Sequence, residues 1–262
     1  MTAVKIVGEL TAPAEDYLKA IYEIETTAIQ PVVPRGEERQ SAGTNEIAHV
    51  LRIAPASVTG MLRRLAEQGL IAYERYRGVR LTEAGRRAAL RTIRRHRVIE
   101  AYLTQALGYA WDRVHDEAER LEHAASDELI DRMAAAIGEP ATDPHGAPIP
   151  ARDGTLAERR LVALVDVDIG VTVWVRQVGD KDADRLRYLA ELGVVPGTQV
   201  RVVAREPYGG PITLRVGGDC DRVASEVSVT ERAIGPALAS QIFVAPVAAP
   251  AHHDRGRRGK KA

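Results

Sequence analysis

The chain has 262 residues, of which 45% are hydrophobic and 27% charged, with a formal net charge of zero at neutral pH. That length suits two or three compact units, and no apolar run approaches the roughly 18 residues needed to cross a bilayer. A single cysteine, Cys220, excludes an intramolecular disulfide framework. The stretch from Met1 to Leu10 lacks the basic-then-apolar pattern of a signal peptide, so a cytoplasmic protein is expected.

Ala14 to Thr27 reads as a helix, with Leu18, Ile21, Tyr22 and Ile24 on one face. Ile29 to Gly43 reads as a loop, and Thr44 can cap a short helix carrying Ile47, Ala48 and Leu51. A tight turn at Arg52 to Ala54 leads to Pro55, which suits a first helical turn. That helix runs to Gln68, with Val58, Leu62 and Leu65 inward and Gly69 closing it. Leu70 to Leu81 alternates like a hairpin that turns near Arg77-Gly78. Thr82 can cap a long helix through Leu107, Asp112 opens another through about Ala124, and Ser126 caps a third to Ile137. Glu139 to Gly154 holds four prolines and two glycines, the composition of a linker or an extended strap. Beyond it the pattern changes to short strands, Val171 to Val178, Gln199 to Arg205 and Ile212 to Val216, interrupted by a helix from Asp184 to Leu192. Pro246 to Ala262 is rich in alanine and proline, then basic, and reads as disordered.

Charge is unevenly spread. Between Arg52 and Arg97 stand twelve arginines, no lysine and three glutamates; between Asp112 and Asp131 stand eight carboxylates and two arginines. A basic block followed by an acidic one suggests one face for a polyanion and another for cations. The order helix, turn, helix, two-stranded wing is that of a winged helix-turn-helix. Its reader helix offers Ala56, Ser57, Thr59, Gly60, Arg63 and Arg64 on the outer face. Ser57 and Thr59 suit base edges and Ala56 a thymine methyl, while Arg63, Arg64 and the wing's Arg75, Arg77 and Arg80 suit phosphates.

On the acidic helix, His115, Glu119, Glu122 and His123 fall within roughly 100° of arc, apart from the apolar stripe Val114, Ala118, Leu121 and Ala125. His96 and Glu100 stand one turn apart on the preceding helix. Carboxylates crowded together raise one another's pKa, and a divalent ion relieves the repulsion. Imidazole and carboxylate without thiolate or thioether suit Mn(II) or Fe(II) better than soft metals.

These residues carry a resemblance. "AEDYLKAIYEIE" from Ala14, "APASVTGMLRRLAEQGLI" from Ala54, "LTEAGRRAA" from Leu81, "RRHRVIEAYL" from Arg94, "VHDEAERLEHAASDEL" from Val114 and "DPHGAPIP" from Asp143 make the chain similar to the diphtheria toxin repressor family of metal-dependent regulators, in its manganese-responsive branch. The resemblance implies a winged helix-turn-helix over 1–82, a helical metal-binding and dimerisation domain over 83–140, a strap over 141–161 and an SH3-like (FeoA-type) β-barrel domain over 162–245, before the tail 246–262. It implies a homodimer that binds a palindromic double-stranded DNA operator when activated by metal, repression of metal uptake as the usual outcome, and two metal sites per subunit. Glu122 and His123 match ligands of the primary site. Asp16 and Glu119 stand where the iron-responsive branch has methionine and cysteine. His96, Glu100 and His115 match the ancillary site, with Gln177 and Asp180 near the positions through which the SH3-like domain completes it in some members. Lys19 departs from the short manganese regulators, which carry a glutamate ligand there.

An Fe(II)-dependent repressor on the same scaffold is the alternative. A helical di-metal enzyme fits less well, because that chemistry uses two Glu-x-x-His pairs and none of His96, His115 and His123 has a glutamate three residues before it.

Overall fold

In a computed structural model of the chain, the described residues are 10–27, 41–74, 78–217 and 230–247. The readings of 29–40 as loop, of Arg75 and Arg77 as phosphate contacts, and of 248–262 as disordered lie outside them.

The amino-terminal half is helical. Helix α1 (Ala12–Thr27) buries Leu18 and Ile21 against α2 (Thr44–Val50), α3 (Pro55–Glu67) and the start of α4 (Glu83–Leu107). Gly43, not Thr44, is the residue before α2, and its N–H donates to the Glu46 carboxylate at 2.7 Å. That bond gives the Gly43 N–H at the helix start an acceptor. Arg52 takes the left-handed conformation (φ 54°) in the turn between α2 and α3. The wing pairs β1 (Ile71–Glu74) with β2 (Gly78–Leu81), placing Ile71 opposite Leu81. The Glu25 carboxylate accepts the Leu81 N–H at 2.8 Å, which fixes α1 to the wing. A methyl on Gly85 would stand 1.9 Å from the Leu70 carbonyl oxygen, so only glycine lets α4 begin this close to β1.

Helix α4 is capped by Thr82, whose hydroxyl accepts the Gly85 N–H, and it ends at Gly108 with φ 70°, both as its sequence implies. It packs against α5 (Val114–Leu121) and α6 (Asp127–Ala136) around Val98, Ile99, Val114 and Ile130. Helix α5 stops at Leu121, three residues earlier than its periodicity suggests. Glu122 and His123 occupy the turn that follows. Helix-like bonds continue there, from Glu122 N–H to Ala118 and from Ala124 N–H to Leu121, so the polar stripe keeps its direction.

The segment 139–161 is irregular but tied down. Arg97 and Arg94 donate to the Pro148 and Pro150 carbonyls at 2.6 and 2.9 Å. Beyond it, β3 (Val162–Ala163), β4 (Thr172–Val178), β5 (Gln199–Arg205), β6 (Ile212–Val216), β7 (Thr230–Ile234) and β8 (Ile242–Pro246) form an antiparallel six-stranded sheet in the order β3-β8-β4-β5-β6-β7. Its inner face, with Val175, Val202, Leu214 and Val244, packs on α7 (Ala183–Leu192) through Leu186 and Leu189. A four-residue helix, α8 (Pro236–Ala239), precedes the last strand. The pairs β3–β8 and β6–β7 were not evident from sequence; their strands are short or, like β7, polar on the exposed positions.

Candidate metal centre and nucleic-acid interface

Three groups of ligand-type side chains converge where α1, α4, the end of α5, the strap and the sheet domain meet. In each, the donor atoms lie within 4.8 Å of one another: Asp16, Glu122 and His123; His96, His115 and Glu119; Glu100, His145 and Asp180.

The first group joins α1 to the turn after α5. His123 Nε2 lies 2.8 Å from Asp16 Oδ1 and 3.5 Å from Glu122 Oε1. The other ring nitrogen, Nδ1, lies 2.7 Å from Glu15 Oε2. Glu15 was not singled out from sequence, although it neighbours Asp16. Its carboxylate accepts the Nδ1–H hydrogen bond and so turns Nε2 to the site, the arrangement that orients metal-binding histidines. Hydrogen bonds donated to the carboxylates of Asp16 and Glu15 hold the His123 imidazolium up at about 10. Arg95 in turn bridges Glu15 and Asp127 at 3.3 and 2.9 Å.

In the second group, His96 lies between its neighbours. Its Nδ1 is 2.5 Å from Glu122 Oε2, and its Nε2 is 3.0 Å from Glu100 Oε1 and 3.2 Å from His115 Nδ1. Burial and the Lys19 ammonium would lower the His96 imidazole, but the Glu100 carboxylate, with a hydrogen bond to Glu122, more than offsets them and holds the ring up at about 10. Lys19 reaches into the space between the first two groups. Its Nζ donates to Glu119 at 2.7 Å and to both Glu122 oxygens at 3.1 and 3.0 Å, and stands 3.2 Å from His96 Nδ1. Burial would raise the Glu119 carboxyl; the Lys19 ammonium overrides it and holds the group below its usual value.

The third group owes its geometry to the strap. Asp143 Oδ1 accepts the N–H groups of His145 and Ala147, both at 2.9 Å, shaping a turn that directs the fully buried His145 inward. A methyl on Gly146 (φ 88°) would meet the Arg176 carbonyl oxygen at 1.9 Å, so the strap lies flush on β4. His145 Nε2 donates to the Trp111 carbonyl at 2.8 Å, leaving Nδ1 facing Glu100 Oε1 at 3.7 Å. Burial alone would raise Glu100, but the His96 imidazolium, with His115 and His145, holds its carboxyl well below the ordinary range. His145 was not among the ligand candidates read from sequence; the Asp143-Pro144-His145 run in the strap was the available signal.

The sequence-based set is thus gathered but divided differently. Glu119 lies with His96 and His115, Glu100 stands 3.0 Å from His96 and 3.4 Å from His115 as well as beside His145, and Asp180 brings a carboxylate from the sheet domain. Gln177 sits on β4 at a register shift, its Cα against Gly146.

The donor chemistry fits a divalent metal. The three groups contain imidazole and carboxylate donors alone, and Glu100 and Glu122 are fully buried. Glu100 Oε2 and His145 Nδ1 are buried without a hydrogen-bond partner, which is costly unless a cation completes them.

The outer face of α3 is exposed. Ala56, Ser57, Gly60, Arg63 and Arg64 are exposed and Thr59 half-buried, while Val58, Leu62 and Leu65 are fully buried. Arg80 is exposed on β2. Fold and site together define a winged-helix protein whose reading unit shares a helix, α1, with a carboxylate–histidine centre.

The comparisons specify this class. Residues 9–79 match the iron dependent repressor N-terminal DNA binding domain, 82–151 the iron dependent repressor metal binding and dimerisation domain, and 162–246 the FeoA domain. The chain is 31% identical over 219 residues to the iron-dependent repressor IdeR of Mycobacterium leprae, covering 79% of this chain and 90% of that protein. It superposes on a manganese-dependent transcriptional repressor in complex with manganese with a TM-score of 0.75 at 36% identity, covering 89% of this chain and all of the other. A crystal structure of ScaR with bound Zn2+ gives 0.71 at 29% identity, covering 89% and 99%. The chain belongs to the diphtheria toxin repressor family of metal-dependent, DNA-binding transcriptional repressors, which are not enzymes.

Proposed function

We propose that the protein is a Mn(II)-responsive repressor of metal-uptake genes, acting in the cytoplasm as a metal-activated dimer on a palindromic operator. The observation that carries this reading is the meeting of Asp16 with Glu122 and His123. Asp16 belongs to the helix fixed to the wing through Glu25, whereas Glu122 and His123 belong to the helical layer behind it. A bound divalent ion supplies positive charge that lets these carboxylates stay together. Asp16 then holds the reading unit at one angle to α5, and Glu15 keeps His123 Nε2 turned towards the site. The outer face of α3 is thereby fixed in orientation, as two reader helices need for successive major grooves. Metal favours the DNA-competent arrangement by binding it more tightly. Leu121 and Leu129, 38% and 44% exposed on α5 and α6, supply apolar surface for a dimer contact.

His96, His115 and Glu119, together with Glu100, His145 and Asp180, would hold further metal; through Asp180 this second centre ties the sheet domain to α4. The oxygen-rich donor set favours Mn(II), and the 36%-identical neighbour is manganese-dependent by name. Fe(II) is the second reading, supported by the mycobacterial relative's name. Operator selection and binding titrations with Mn(II), anaerobic Fe(II) and chelator separate the two. Asp16→Ala and His123→Ala should each abolish metal-stimulated operator binding while leaving the helical content unchanged; a full metal response in both variants would overturn the assignment.

A further inference from the structure

Lys19 is three residues beyond Asp16 on the same face of α1, and its side chain is almost fully buried. Its Nζ has acceptors at 2.7, 3.0 and 3.1 Å from two different carboxylates and a ring nitrogen at 3.2 Å. Two carboxylates around one positive charge are what a small cation would gather. Desolvating an ammonium is expensive and is offset here because Glu119 and Glu122 would otherwise face each other uncompensated.

The same lone pairs are needed twice. Glu122 belongs with Asp16 and His123, and Glu119 with His96 and His115, yet both carboxylates are engaged by Lys19. An ammonium held a few ångströms from a divalent ion also repels it strongly. The arm has somewhere to go. A cleft of about 340 Å³ opens beside Lys19, lined by Asp16, Glu23, Asp116 and Glu119 together with Arg52 and Lys181; Lys181 already pairs with Glu23 at 2.6 Å, so Asp116 is the carboxylate that can receive the charge.

We propose that the Lys19 ammonium is a tethered counter-ion that occupies the regulatory centre in the metal-free protein and is displaced into this cleft by metal, so that it sets the metal concentration at which the repressor responds. The inference rests on the metal-regulatory reading above. Lys19 acts as a competitor: it stabilises the resting arrangement and raises the threshold for activation, because the population able to bind metal is only the fraction with the arm withdrawn.

The test compares full-length wild type, Lys19→Met and Lys19→Gln by calorimetric titration with Mn(II) after chelator treatment, alongside thermal melts in chelator. Both variants should bind Mn(II) at least about tenfold more tightly and melt lower than wild type when metal-free. Equal or weaker Mn(II) affinity in the variants would overturn the proposal, showing Lys19 to be a fixed strut. A second measurement needs no variant: acylation of wild-type lysines by an N-hydroxysuccinimide ester, read by mass spectrometry. Lys19 should be protected in chelator and become reactive with Mn(II); reactivity that is unchanged or lower with Mn(II) counts against displacement. If wild type binds no Mn(II), the metal reading itself falls and this inference with it. Binding by wild type with unaltered variants removes the Lys19 inference alone.

Discussion

Replacing Glu122 by glutamine tests whether the centre is held together by charge. Glu122 is fully buried, and both its oxygens accept from Lys19 while Oε2 lies 2.5 Å from His96 Nδ1. Glutamine keeps the shape, removes the negative charge and turns one acceptor into an NH2 donor facing Lys19 or His96. Removing one partner of a buried ion pair costs about 3–5 kcal/mol. The lower end applies, because Glu119 still compensates Lys19 and Glu100 still compensates His96. A loss of about 3 kcal/mol corresponds to a fall of roughly 6–12 °C in melting temperature for a chain of this size. Circular dichroism melts in chelator measure it, with Glu128→Gln as control, since Glu128 pairs with Arg132 on the surface and such pairs are worth about 0–1 kcal/mol. Mn(II) should also stabilise Glu122→Gln far less than wild type. A Glu122→Gln midpoint within about 2 °C of wild type, where about 1 kcal/mol already moves it by that much, would refute the electrostatic account.

The histidines give a pH dependence with a definite sign. His96 and His123 are held up at about 10 from 6.5, so the stability they contribute to the metal-free protein is complete below pH 6.5 and is lost as pH rises towards 10. The melting temperature in chelator should therefore fall across that window, less steeply in His123→Asn, while the added stabilisation by Mn(II) grows as protons leave the rings; a flat or rising metal-free curve contradicts this. Gly146→Ala places a methyl 1.9 Å from the Arg176 carbonyl oxygen at a φ of 88°. It should lift the strap, withdraw His145 from Glu100 and weaken Mn(II) binding at the second centre, while binding at Asp16, Glu122 and His123 is unchanged. A two-site Mn(II) titration in which both affinities match wild type would show that the strap does not position that centre.

Much of the fold was legible because local chemistry and burial agree. Thr82, Gly108, Ser126 and Gly193 cap or end their helices as their residue types imply, and β5 and β6 begin and end where their apolar alternation does. Strand β7 was not, since only Ile234 among its five residues is fully buried, and an edge strand needs no alternating pattern.

The sequence by itself determined the ligand types and that His115, Glu119, Glu122 and His123 share a direction, because helical spacing alone fixes that. The tertiary structure decided which of them act together. Asp16, His96, His145 and Asp180 come from four separate elements, and their grouping depends on how α1, α4, the strap and the sheet domain pack. It also decided that a lysine head lies between two carboxylates, since the destination of a long flexible side chain is set by where charge is buried and not by its position in the chain.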